Sequence, residues 1–158
     1  MSRSAAEQEG RRTGAVEPLA SDVRLKISGI RCASEAVPLE RALERLEGAS
    51  AATVNPLLEY VWLRVESLAQ LEGAVRLLVR RGYSVDPNDV AVTVRLPGAP
   101  ANLEQLRRQL SSLRCVAQCR VARRAGRLEL ELALGDEWET ALDEMRFLAG
   151  RIRIGSEP

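Results

Sequence analysis

The feature that most constrains the fold is an internal repeat at a constant offset of 67 residues. Asp22-Val23 falls on Asp89-Val90, and apolar positions of the first half recur at the same offset. The matched apolar pairs are Leu39 and Leu106, Leu43 and Leu110, Leu46 and Leu113, Val54 and Val121, Leu63 and Leu130, and Ala74 and Ala141. Self-similarity concentrated on apolar positions indicates a duplicated structural unit. Because units of about 65 residues bury a limited core, we expect the two to pack against each other.

Apolar periodicity predicts the order strand, helix, strand, strand, helix, strand in each unit. In the first unit the segments are 23–28, 39–46, 51–55, 60–65, 68–83, which Gly82 closes as a C-cap, and 84–87. In the second they are 90–96, 103–113, 117–123, 127–134, 138–149 and 152–154. This order is the ferredoxin-like one. It predicts an α+β fold of two tandem β-α-β-β-α-β units, each a four-stranded antiparallel sheet with two helices on one face.

The domain boundaries follow from composition. Residues 1–21 mix charged and small residues without periodicity, which predicts a disordered arm. The two domains then span 22–87 and 88–155, with a tail at 156–158, and the turn signal Asp86-Pro87-Asn88-Asp89 marks the boundary.

Composition excludes several classes of protein. No apolar run approaches about 18 residues, so no membrane-spanning helix is expected, and without a secretory signal we expect a cytoplasmic protein. There is no histidine, which removes the commonest general base and zinc ligand, and we expect no enzymatic activity. The formal net charge of +1 gives no overall attraction to nucleic acid. Three cysteines, an odd number, indicate free thiols or metal ligands.

Residues 25–85 carry a series of motifs in a fixed order: Gly29-Ile30-Arg31-Cys32-Ala33-Ser34-Glu35, LERALERLEGA at 39–49, Val54-Asn55 and Arg81-Gly82-Tyr83. In these motifs the segment resembles the heavy-metal-associated (HMA) domain. That family has G-M-x-C-x-x-C after the first strand, a helix V-E-x-A-L-x-x-L-x-G-V, then V-N, and a second helix closing on G-Y. Through the internal repeat, residues 89–155 resemble a degenerate HMA-like copy.

The resemblance implies a metal-binding role without catalysis. In the family, two thiolates on the loop after the first strand hold Cu(I), or sometimes Zn(II), Cd(II) or Hg(II). Such domains are cytosolic chaperones or amino-terminal modules of metal-transporting ATPases. The implied cargo is therefore Cu(I) or Zn(II), and the implied partner is a metal-transport ATPase, another protein, or a second copy of the chain.

The sequence departs from the family at the metal site. Cys32 holds the first ligand position, but Glu35 replaces the second cysteine, so C-x-x-C becomes C-x-x-E. Cu(I) prefers soft thiolate ligands, so we expect Cys32 to bind metal weakly, with Glu35 as a weak second ligand. Two alternatives stay open: Cys32 as a relic, and Glu35 as an acidic residue favoured at a helix start. The equivalent loop of the second unit, 96–102, has no thiol.

The other two cysteines form a C-x3-C pair. The repeat places Cys115 on Gly48, in a turn, and Cys119 on Ala52, on the core side of a strand. Free cysteine is often a small buried hydrophobic residue, so Cys119 is predicted to lie in the core, with a metal role as the lesser alternative.

One face of the predicted sheet is aromatic and basic. Because strand side chains alternate, Tyr60, Trp62 and Arg64 point away from the helices, and Arg24 and Lys26 share that face. This face is predicted as a protein-interaction surface. Aromatic and basic residues on a sheet also occur in RNA-recognition motifs, but the specific motif is absent, so nucleic acid is not predicted as a partner.

Two hypotheses of function follow. In the first, the chain is a metal-handling protein, a chaperone or a regulatory module of a transport system, with a reduced C-x-x-E site. In the second, it is a degenerate HMA-like interaction or regulatory module that no longer binds metal.

Overall fold

The computed structural model describes residues 20–96, 103–122 and 126–155, and within them the chain forms an α+β fold. The strands are β1 (Ser21–Ser28), β2 (Ala49–Asn55), β3 (Tyr60–Val65), β4 (Ser84–Arg95), β5 (Val116–Ala122) and β6 (Arg127–Leu132). The helices are α1 (Ala36–Glu44), α2 (Leu71–Arg80), α3 (Leu103–Ser111) and α4 (Trp138–Gly155). Single 3-10 turns, Ala33–Glu35 and Leu68–Gln70, lead into α1 and α2. The predicted tail, the loop at 97–102 and most of the predicted arm lie outside the described residues.

The six strands form one antiparallel sheet in the order β2-β3-β1-β4-β6-β5. The predicted α+β class is confirmed. The first unit forms its four antiparallel strands, whereas the described part of 88–155 supplies three, and β1 completes their set. The two sets are β2-β3-β1-β4 and β1-β4-β6-β5, so β1 and β4 belong to both. The two sheets expected from the sequence are therefore continuous with each other.

The predicted domain boundary falls inside β4. Residues Ser84 to Asp86 pair with the end of β1, and Val90 to Val94 pair with its beginning. Between these runs the register shifts at Leu25/Lys26, and the N–H of Asn88 donates to the Asp86 side chain at 2.9 Å. The turn signal thus forms a bulge that bends the strand without ending it.

The expected last strand at 152–154 is wrong, because α4 continues through it to Gly155. On this helix Ala141, Met145, Leu148 and Ile152 are buried at helical spacing. The physical reason lies in the sheet: β1 already pairs with the side of β4 that a fourth strand of the second unit would occupy. Ile152 therefore contributes to the core from a helix.

The core lies between the sheet and the helices. Leu39 and Leu43 of α1 are buried as predicted, as are the α2 positions Leu71, Val75 and Leu78. Gly82 follows α2 at φ +95°, and the N–H of Tyr83 donates to the Leu78 carbonyl at 3.0 Å, which is the expected C-cap. The buried residues form one continuous cluster across both units. Among the described residues, no helix has the length and apolar character to cross a membrane.

Candidate functional site

Cys32 lies at the surface on the loop between β1 and α1. Gly29 begins this loop at φ +110°, a left-handed conformation that glycine adopts without strain. Cys32 has extended backbone and occupies the N-cap position of the 33–35 turn, where its carbonyl accepts the Glu35 N–H at 3.0 Å. The loop therefore presents the thiol to solvent at the start of a helical segment.

The Cys32 sulfur is a hydrogen-bond acceptor. Its Sγ accepts the Ser34 hydroxyl at 3.1 Å. The pKa of the Cys32 thiol is lowered, first by this hydroxyl and then by the Ser34 backbone N–H, against smaller opposing effects of desolvation and of the Glu35 charge. The thiolate is the metal-binding and nucleophilic form of cysteine, so this environment favours both chemistries.

The Glu35 carboxylate ties the loop to the rest of the domain. Its Oε2 accepts the N–H groups of Arg31 and Cys32, each at 3.0 Å, and its Oε1 accepts the Tyr83 hydroxyl at 2.6 Å. The Tyr83 bond is the largest cause of a lowered pKa at Glu35, while burial and Glu35 raise the pKa of Tyr83. Both carboxylate oxygens thus accept hydrogen bonds that hold the loop, which agrees with the alternative of Glu35 as an acidic residue at the start of a helix. The metal-ligand role of Glu35 stays a prediction.

Tyr83 is a site residue that the sequence analysis missed. It lies 48 positions after Glu35, in the G-Y motif that follows α2. The resemblance flagged the motif, but no local pattern links it to the loop. Only the sheet, which places the end of β1 beside the start of β4, brings the two side chains together.

The other cysteines are buried and separate from this loop. Burial raises the pKa of Cys119 to about 11, and Cys119 lies in the core as predicted. Burial, followed by the negative charge of Glu144, raises the pKa of Cys115. Both groups are therefore neutral thiols at neutral pH. Across the described parts of the chain, no three or more cysteine and acidic side chains come together as a metal-binding group.

The predicted aromatic and basic residues do meet on the open face of the sheet. Arg24 pairs with Trp62 and Lys26 with Tyr60 across β1 and β3. The Arg24 guanidinium lies 4.5 Å and the Lys26 ammonium 4.9 Å from the centre of the Tyr60 ring, both within cation–π range. The Tyr60 and Trp62 ring centres are 5.7 Å apart, and Trp62 is 38 % exposed.

Two aspartates order this face, and they occupy equivalent positions of the internal repeat. Asp22 accepts Arg64 Nε at 2.8 Å, and Asp89 accepts both Arg24 and, at 3.4 Å, the Tyr60 hydroxyl. Sequence analysis matched Asp22 with Asp89 without assigning them a role. These bonds hold Arg24, Tyr60 and Arg64 in place on the open face.

No family model matches the chain, and no curated protein matches it. Solved structures similar to it include oxidized MerP from Ralstonia metallidurans CH34, at 18 % identity over 42 % of this chain and 93 % of that one, with a TM-score of 0.38. The water-soluble region of the P-type ATPase CopA from Bacillus subtilis aligns at 18 % identity over 86 % and 89 % of the two chains, with a TM-score of 0.39. The CopZ metallochaperone aligns at 24 % identity over 40 % and 97 %, with a TM-score of 0.34. All three TM-scores lie below 0.5, so these similarities assign the chain to no family.

Proposed function

We propose that this chain is a metal-handling protein that contributes one thiolate, Cys32, to a shared site for Cu(I) or Zn(II). The second thiolate comes from a metal-transport ATPase, from another protein, or from Cys32 of a second copy. The role is binding and transfer, not catalysis. The observation that carries the proposal is the exposed Cys32 sulfur, which accepts the Ser34 hydroxyl at 3.1 Å.

The ligand chemistry explains why the site needs a partner. Soft ions such as Cu(I) prefer sulfur ligands. The Glu35 carboxylate is a harder ligand, and its oxygens already accept hydrogen bonds from Arg31, Cys32 and Tyr83. A single chain therefore offers one free soft ligand, which favours weak binding alone and tighter binding once a second thiolate is supplied. The HMA resemblance of residues 25–85 supports the same assignment.

The test is an anaerobic titration of the reduced protein with Cu(I) and Zn(II) against a competing chelator, with native mass read at each point. The wild-type chain is expected to bind weakly as a monomer and to shift toward a dimer bridged by metal. Cys32→Ser should lose both effects. Retention of wild-type binding by Cys32→Ser would refute the assignment.

A gain-of-function pair sharpens this test. Glu35→Cys supplies the missing thiolate within the chain and should convert weak, dimer-linked binding into tight one-to-one binding. Glu35→Ser removes the same carboxylate, and the same bond to Tyr83, without adding sulfur. It should bind no better than wild type, so any gain specific to Glu35→Cys reports metal ligation at this loop.

The ordered open face of the sheet favours a second candidate function, an interaction module that does not use metal. Trp, Tyr and Arg are the residue types that dominate binding energy at protein interfaces, and here Tyr60, Trp62 and Arg64 lie together. In that case partner capture is unaffected by chelators and lost in Trp62→Ala. Val79→Ala, at an exposed valine on α2, is the matched control.

A further inference from the structure

The two edges of the sheet differ, and the difference is set by the helices beside them. At the β2 edge, two glutamates of α1 cover the strand. Glu40 accepts the N–H of Val54 at 2.8 Å, and Glu44 accepts the N–H of Ala52 at 3.0 Å. These N–H groups point away from β3, so the two carboxylates occupy donors that another strand would need.

Near Val121 the β5 edge repeats the strand pairing of the β2 edge. Val121 pairs with Leu128 as Val54 pairs with Val61, and both positions are offset by 67 residues. Because N–H groups of successive strand residues alternate in direction, those of Val121 and Cys119 point away from β6. They are the counterparts of the two amides that the glutamates cover at β2.

The covering carboxylates are replaced in α3. Arg107 stands at the position of Glu40, and Ser111 at that of Glu44. Arg107 Nε donates to Glu104 at 2.8 Å, and the Ser111 hydroxyl donates to the Arg107 carbonyl at 2.8 Å. A guanidinium has no acceptor atom and cannot accept a hydrogen bond from a backbone amide. Arg107 and Ser111 thus do not reproduce at β5 the closure that Glu40 and Glu44 provide at β2.

We propose that the β5 edge, which is uncovered among the residues that the structure describes, receives an extended, acidic segment of a partner protein as a further strand. Strand addition supplies acceptors for the amides of Cys119 and Val121 and donors for their carbonyls. The charge of the edge selects the partner. Arg120 lies in the middle of β5, its side chain is 63 % exposed, and its ion pairs with Glu129 and Glu131 are long, at 3.9 Å.

The same charges disfavour a second copy of this chain as the occupant. The β5 sequence, VAQCRVA, contains no acidic residue. In antiparallel self-pairing centred on the strand, the two Arg120 side chains lie opposite or diagonal to each other, and like charges there are destabilising. The carboxylates of an acidic strand lie beside Arg120, one strand closer to it than to Glu129 and Glu131 of β6.

Strand alternation defines the sequence pattern of the partner. Partner side chains on the open face lie beside Arg120 and are acidic, while those on the other face lie beside Val121 and α3 and are apolar. The register shift between Val116 and Gln118 limits regular pairing to the residues after it. The segment recognised is therefore short and alternates acidic and apolar residues.

Amide hydrogen exchange of the full chain tests whether the edge is free. The amides of Val121 and Cys119 should exchange at least about tenfold faster than those of Val54 and Ala52, since a bond worth about 1.4 kcal/mol corresponds to tenfold. Equal protection at the four positions in the free chain would overturn the proposal, because the β5 edge would already be closed.

The binding probe is an acetylated, amidated peptide of alternating Val and Glu, read by fluorescence anisotropy and by exchange. It should protect the Val121 and Cys119 amides. Its Val/Lys counterpart, and a version N-methylated at alternate residues, should each bind at least about tenfold more weakly, because they lose charge complementarity and strand hydrogen bonds respectively. Equal binding of all three peptides, or no binding by any, would overturn the proposal.

A variant that copies the closed edge gives an independent check. In Arg107→Glu the new carboxylate can cap the edge as Glu40 does, so the Val121 amide should become protected and peptide affinity should fall at least about tenfold. Arg108→Glu makes the same charge change at an exposed position of α3. It should leave the protection of the Val121 amide and the peptide affinity nearly unchanged. Arg107→Ala removes the charge without adding a cap and should leave Val121 unprotected.

Concentration-dependent protection of Val121 without peptide, together with a dimer mass, would assign the edge to a second copy and refute an acidic partner.

Discussion

Replacing Ile152 with alanine tests the most consequential difference between the expected and the observed fold. In the structure Ile152 is fully buried on α4, whereas Ile154, two residues later, is 58 % exposed. In a β-strand the two side chains would lie on the same face and would be buried or exposed together. The pair of substitutions therefore distinguishes a helix from a strand at this end of the chain.

The expected cost follows from what is removed. Ile152→Ala deletes three buried carbons, about 2.4 kcal/mol at about 0.8 kcal/mol each, and leaves a cavity that brings the loss to about 3 kcal/mol. For a chain of this size that lowers Tm by about 6 to 12 °C. Ile154→Ala, at an exposed site, should change the free energy of unfolding by less than about 0.5 kcal/mol.

The assay is equilibrium urea unfolding of the wild type and the two variants, followed by far-UV circular dichroism. The midpoint should fall for Ile152→Ala and stay near wild type for Ile154→Ala, with unchanged slopes. Similar losses in both variants, or a larger loss for Ile154→Ala, would refute the helical assignment of residues 152–154.

Three further predictions concern the cysteines and the loop. The rate of Cys32 alkylation should rise with pH around a midpoint below that of an ordinary thiol, and Ser34→Ala should move that midpoint upward, because it removes the largest cause of the lowered pKa. Cys115 and Cys119 should resist alkylation in the folded protein and react after unfolding; rapid native labelling of Cys119 would contradict its burial and its pKa of about 11. Because folding lowers the pKa of Glu35 from 4.5, its contribution to stability is present above that value and is lost as pH falls through the folded pKa. The difference in unfolding free energy between wild type and Glu35→Gln should therefore shrink in acid, and a difference that is constant with pH would contradict this.

At the Cys32 loop the sequence motif identified the candidate residues but not their tertiary contacts. The C-x-x-E motif named Cys32 and Glu35 as candidates, and in the structure the two residues lie on one turn. It also finds the carboxylate bound to Tyr83 from a distant part of the chain. Local spacing identified Cys32 and Glu35 as candidates, but the hydrogen bond from Tyr83 determines how far the Glu35 carboxylate is available as a ligand.

Local features of the sequence were sufficient for much of the architecture. The stripe of Leu39 and Leu43, the alternation along β3 and the glycine that ends α2 all reflect interactions within a few residues, so periodicity and cap signals predict them. The open-face cluster of Tyr60, Trp62 and Arg64 follows from the same alternation.

Strand pairing was decided only by the tertiary structure, because hydrogen-bonding partners in a sheet are chosen across the chain. That β1 and β4 serve both units, that residues 152–154 stay helical, and that Glu40 and Glu44 cover β2 all depend on which parts of the chain the fold brings side by side. Sequence periodicity reports which face of an element is apolar. It does not report which neighbour satisfies the backbone of that element, and the continuity of this sheet depends on that choice.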